Sequence, residues 1–173
     1  MPTGRPAENE YAPYFARYVG LVPEADVLAA LEGQIDDLRR FAKSVPPERE
    51  GHRYAPDKWS VREVIGHLAD GERVFGYRVF CISRGEQQAL PSFDENAYVA
   101  QSANGRVPLA DLAEELVMVR RANLAVMRRL EPPAWTRLGT ASGQPVSVRA
   151  LGYLMVGHPR HHLAILRERY GLA

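Results

Sequence analysis

The sequence predicts an all-α fold, a four-helix bundle with a long connection between its second and third helices. Three observations carry the prediction. Four stretches place apolar residues three and four positions apart, the repeat of a helix with one buried face. Prolines collect between those stretches, Pro159 being the exception. No alternating run is long enough to build a sheet. At 173 residues the chain suits one bundle domain over 23–173, preceded by an extension over 1–22 that packs on it.

The extension begins with proline, glycine and charge and then gathers Tyr11, Tyr14, Phe15 and Tyr18. A frayed tip and then a segment lying across the end or side of the bundle are expected. Pro23, Glu24 and Asp26 open the first helix, proline fitting the first turn and the acids the positive end of the dipole. Val27, Leu28, Leu31, Ile35, Leu38 and Phe41 line its buried face, and it ends near Lys43. Residues 44–59 contain three prolines and a glycine and break the pattern. Ser60 and Glu63 then form a capping box, stapled by Trp59, and start the second helix. Its stripe is Val61, Val64, Ile65, Leu68, Phe75 and Val79, fading near Gly85. The connection over 86–107 is long enough to be functional or to carry helical structure of its own. Pro108 opens the third helix, with Leu109, Leu112, Leu116, Val119, Val126 or Met127, and Leu130 on its stripe and Pro132 and Pro133 at its end. Trp135 to Pro145 reads as loop or a short hairpin. Ser147 caps the last helix, which reaches Tyr170, and Gly171 suits its C-cap.

Composition excludes several functions. Twenty-two basic and twenty-one acidic residues leave a net charge of +1 with no basic block, so no nucleic acid or anionic lipid is expected as a partner. No apolar run approaches the ~18 residues that span a bilayer, and the start has no signal-peptide h-region. The one cysteine, Cys81, rules out an internal disulfide framework and favours a reducing, cytoplasmic setting. Cys81 itself reads as a small buried hydrophobe.

The chemistry concentrates in the last helix. His158 and His162 lie one turn apart on a stripe that should be apolar, about 5–6 Å apart at Cβ. Neutral imidazoles there need hydrogen-bond partners and charged ones resist desolvation; a divalent ion satisfies both. His67, beside the stripe of the second helix, is the third candidate if those helices are neighbours. Three imidazoles leave open coordination positions, as catalytic metal sites do. His161 lies about 100° round from His162, where it either supports the ligands from behind or faces the surface. Asp70 can orient an imidazole. Glu72 points further round, Tyr98, Tyr153, Asp94 and Glu95 border a pocket at best, and His52 sits solvated in a charged loop. Pro159 falls between the two histidines, where proline costs about 3 kcal/mol. A kink eased by Gly157 that keeps their one-turn spacing is expected.

The segments Trp59-Ser-Val-Arg-Glu-Val-Ile-Gly-His67-Leu-Ala-Asp-Gly-Glu72, Leu90-Pro-Ser-Phe-Asp-Glu-Asn-Ala-Tyr98 and Gly157-His158-Pro-Arg-His-His162 together resemble the DinB/YfiT-like superfamily, over roughly residues 20–170. The resemblance implies an up-down-down-up bundle, often a homodimer, with a divalent metal on His67, His158 and His162. Zinc, nickel or iron would suit three imidazoles. It further implies a small-molecule substrate, met by transfer from a low-molecular-weight thiol such as mycothiol or bacillithiol, or by hydrolysis. The alternative expectation is a non-catalytic, stress-associated binding or scaffold protein whose metal is structural or vestigial.

Overall fold

Side chains at helix ends set the frame of the computed structural model, which describes residues 4–172. The tip expected to fray falls partly on residues 1–3, outside that range. The elements run α1 Ala16–Val19, α2 Val27–Ser44, α3 Val61–Ser83, α4 Glu95–Gln101, α5 Leu109–Met127, α6 Pro132–Trp135, β1 Leu138–Ala141, β2 Gln144–Ser147 and α7 Val148–Tyr170. The four long helices are those the periodicity predicts, and no described helix is long and apolar enough to cross a membrane. Asp26, not Pro23, starts α2, because its carboxylate accepts from the amides of Leu28 and Ala29 at 3.1 Å. Ser60 and Glu63 make the expected capping box at α3. The 86–107 connection carries α4, capped by Asp94. The segment after α6 is a two-stranded hairpin, turning at Ser142 and Gly143, both at positive φ.

Helix directions follow from side-chain pairs. Gln34 reaches the Val156 carbonyl at 3.0 Å and Arg167 lies over the Phe41 ring, so α2 and α7 run parallel. Arg39 pairs with Glu114 and Arg128 with Glu32, so α5 runs against α2. Tyr170 near the end of α7 donates to the Trp59 carbonyl just ahead of α3, so these two are antiparallel. The order is up, down, down, up. Consecutive α3 and α5 run the same way, which is why the chain between them must travel back along the bundle.

The core divides into two apolar clusters, one in each half of the bundle. One gathers Leu31, Phe75, Val79, Leu124, Met127, Leu151 and Met155. The other gathers Leu38, Ile65, Leu68, Leu112, Leu116, Leu163 and Leu166. On each helix the polar residue between the two sets is buried: Gln34, Glu72, Arg120 and His158. Arg120 is 0 % exposed and occupies the stripe position that the sequence assigns to Val119, which is only half-buried. Its Nε and Nη2 pair with the Glu72 carboxylate at 2.7 and 2.9 Å, and Nη1 donates to Gln34 Oε1 and the Leu31 carbonyl. Nη2 also donates to the Met155 carbonyl at 2.8 Å. That carbonyl is the one Pro159 leaves without its helical donor. Arg120 thus repays the proline's lost bond, and α7 runs unbroken through it. Glu72 therefore belongs to this interior pair and is not part of the lining of the histidine cavity.

The N-terminal segment packs against α7. Glu10 is buried and accepts from Ser147 Oγ at 2.6 Å and Arg149 Nε at 2.7 Å. Gly157 lets this segment approach. A Cβ there would stand 2.2 Å from the Tyr18 carbonyl oxygen, so its role is clearance for Tyr18. Gly157→Ala is expected to push 15–19 off the bundle and lower the melting temperature. Gly33→Ala, with nothing within 4 Å of its added methyl, should stabilise by about 0.5–1 kcal/mol. Thermal unfolding followed by circular dichroism compares the two.

Candidate functional site

The histidines meet where α3 and α7 cross. His67 stands in the second turn of α3, seven residues past the Ser60 cap that fixes where the helix begins. His158 and His162 stand on α7, their ring centroids 4.7 Å apart, so the one-turn spacing survives Pro159. The three rings offer one nitrogen each within 4.8 Å of one another. His67 Nε2 and His158 Nε2 are 2.9 Å apart. At that distance one nitrogen carries a proton that the other accepts, or both lone pairs turn to a shared cation. Gly71 makes room for this: a Cβ there would lie 2.9 Å from His158 Cε1.

Two bonds of ~2.1 Å to zinc span at most about 4.2 Å, less than the 4.8 Å spread, so the side chains would have to rotate inward for all three nitrogens to share one ion. Their protonation fits as well. Burial holds His67 down at about 4 and, with His67, His161 and Arg17 nearby, His162 at about 3. Burial and the adjoining histidines push His158 well below the ordinary 6.5. All three are neutral at pH 7, the form that donates a lone pair to a metal.

A pH prediction follows for the metal-free protein. The unfolded chain takes up protons on these rings below about pH 6.5, whereas the folded chain refuses them until about 4 to 3. Each depressed folded value means stability that is intact above 6.5 and is lost as pH falls through that window, at most about 1.4 kcal/mol per unit and ring. Urea unfolding after chelation, at pH 7.5, 5.5 and 4.5, should show the decline, and a His67→Gln/His162→Gln double variant should flatten it.

The site opens into a cavity of about 290 Å³. Aromatic rings from separate parts of the chain wall it. Trp59 lies 4.8 Å from His67 and Phe75 5.7 Å from His158, centroid to centroid. Tyr18, from the N-terminal segment, stands edge-on to His158 and His161 at 5.7 and 5.3 Å. Arg17 lies over the Tyr14 ring at 4.0 Å. Phe93 and Glu95 come from the α3–α5 connection, Ser142 from the hairpin turn and Arg78 from α3.

The other sequence candidates fall variously. His161 lines the cavity but is not among the three that converge. Asp70 lies beside Arg73 at 3.8 Å and has no hydrogen bond to an imidazole among the described residues. Glu95 lines the cavity, and its charge acts on His67. Asp94 is a helix cap, and Tyr153 is buried with its hydroxyl donating to the Glu24 carbonyl. Tyr98 is exposed against Phe93, Cys81 half-buried, and His52 half-buried against Tyr170. Sequence reasoning passed over Arg78, although His67, Gly71, Phe75 and Arg78 share one face of α3. A charge on that otherwise buried face was the available signal.

Comparison with known proteins agrees with this architecture. A family model described as the DinB superfamily matches residues 30–166. YfiT from Bacillus subtilis, described as a probable metal-dependent hydrolase with an unusual four-helix bundle topology, superposes with TM-score 0.74. It is 20 % identical, over 88 % of this chain and 91 % of its own. A mycothiol-dependent maleylpyruvate isomerase superposes with TM-score 0.64 at 16 % identity, over 82 % of this chain but only 60 % of its own. A DinB-like protein from Bacillus subtilis gives 0.57 at 19 %, over 81 % and 85 %. No curated protein matches in sequence.

Proposed function

The chain belongs to the DinB superfamily, and from that premise we propose that it is a divalent-metal-dependent enzyme acting on a small molecule, by thiol transfer or hydrolysis. One observation carries the reading: three neutral imidazoles, two buried and His162 half-buried, converge at the floor of an aromatic-walled cavity. A purely structural metal site is closed by its ligands; this one faces open space. At about 290 Å³ the cavity is close to the lower end of the ~300–1,000 Å³ typical of small-molecule sites.

His67, His158 and His162 would hold the ion, with zinc, nickel or iron as the candidates. A divalent ion there would polarise an electrophile and lower the pKa of an attacking water or thiol. The protein's own groups supply the rest. Trp59, Phe75 and Tyr18 exclude water and strengthen every charge interaction inside. The Glu95 carboxylate, at the cavity wall, accepts the proton that the nucleophile gives up.

The test begins with metal analysis of protein purified without a histidine tag, where one equivalent is expected. Zinc-loaded protein is then assayed for loss of free thiol with an activated aryl halide and for hydrolysis of an activated ester. Glu95→Gln should keep the metal and lower turnover by about 10²–10⁴. Absence of bound metal refutes the site; bound metal without turnover of either kind leaves the non-catalytic scaffold.

A further inference from the structure

Two arginines are buried among the described residues, and only one of them has an anion there. Arg120 has a carboxylate and an acceptor for every N–H. Arg78 is 4 % exposed and has no carboxylate within ion-pair distance among the described residues. Its two acceptors are neutral and are both reached through one nitrogen: Nη2 donates to the Pro91 carbonyl at 2.8 Å and to Ser142 Oγ at 2.9 Å. Nε and Nη1 have no hydrogen-bond partner among the described residues, and the side chain lines the cavity of the three histidines. Those two nitrogens are not among the fully enclosed polar atoms, so they open on the cavity, where an anion would meet a guanidinium already stripped of most of its water. Arg17, also on this cavity, is exposed and rests on tyrosine rings, so solvent already serves it.

We infer that Arg78 is the anchor for a carboxylate, so that the substrate is a small molecule with a carboxylate at one end and its reacting centre at the other. The guanidinium fork matches a carboxylate with two parallel N–H donors. Arg78 follows His67 by three helical turns, about 16 Å along the axis, and a helical side chain leans back toward the N-terminus. The substrate therefore spans several bonds, and Phe75, between the two positions, flanks its middle. Because the anchor lies on the same wall as the imidazoles, it sets which end of the molecule reaches them. This assignment rests on the small-molecule reading of the site, but its binding step does not need the metal.

Calorimetric titration of the chelated and the zinc-loaded protein with 3-phenylpropionate and 3-phenylpropionamide, which differ in charge at one end, tests the assignment. Wild type should bind the acid at least tenfold more tightly than the amide in both forms. Arg78→Gln should weaken the acid at least tenfold, leave the amide within twofold and leave the zinc content unchanged. Should that variant fail to fold, Arg78→Lys, which keeps the charge but not the fork, is read by the same titration, with a several-fold loss for the acid expected. Equal binding of acid and amide, no binding of the acid, or an affinity that Arg78→Gln leaves within twofold each overturns the anchor. Acid binding seen only with zinc and indifferent to Arg78 assigns the carboxylate to the ion and overturns it too. Zinc content, measured separately, reports on the metal reading: its absence together with Arg78-dependent acid binding would fell that reading and leave the anchor standing.

Discussion

Arg120→Ala is expected to remove about 3–5 kcal/mol of folding stability, a large share of the roughly 5–15 kcal/mol a domain has in all. The substitution leaves the Glu72 carboxylate buried with only Asn123 to donate to it, at 3.2 Å. It also strips the Met155 carbonyl of the donor that stands in for Pro159. Gln34, which keeps Val156, loses Arg120 as partner. All four long helices contribute to this cluster, so the loss should appear as a drop in the urea midpoint and not as local fraying. The double change Arg120→Met/Glu72→Leu is the informative companion. Replacing both charges by apolar groups of similar size is often neutral or stabilising, so the double variant should recover most of the loss. A double variant as unstable as Arg120→Ala would mean that the ion pair itself, and not its satisfaction, holds the bundle together.

His158→Ala is the other large effect. It removes a buried imidazole whose ring lies against both His67 and His162 and whose Nε2 is 2.9 Å from that of His67. Zinc affinity should fall by more than the ~10–100-fold that loss of an outer-shell partner causes. In wild type, zinc at a hundred times its dissociation constant should stabilise by about 2.7 kcal/mol, seen as a raised melting temperature. In the variant that rise should vanish. Competition against a chromogenic chelator gives the affinities and calorimetry the melting shift. An undiminished shift would place the ion elsewhere. Folding should survive the substitution, because a buried neutral imidazole contributes less than the apolar layers on either side of it.

Much of this was legible in the chain because it is local. A helix is announced by side chains three and four apart, and its start by one hydroxyl and one carboxylate three residues later. Ser60, Glu63 and the pair His158 and His162 needed nothing else. His67 was legible as a polar residue beside a stripe, though its pairing required the second and last helices to be neighbours. The boundary of α2 was misread because proline and acids both favour a first turn, and only the Asp26 hydrogen bonds decide between them. Arg120 was passed over, and the partner of Glu72 with it, for a deeper reason. A stripe is drawn by skipping charges, and a charge on the buried face is recognisable only once its partners from other helices are in place.

What the sequence determined by itself is therefore the set of helices, their caps and the turn that carries two imidazoles. Those depend on contacts within four residues. The tertiary structure alone decided that Tyr18, 140 residues ahead of His158, would wall the cavity of the histidines, that Arg120 would take over the carbonyl Pro159 frees, and that Arg78 would be buried without an anion. Each of these depends on groups brought together from distant parts of the chain, and no spacing along it encodes whether a buried donor finds its acceptor.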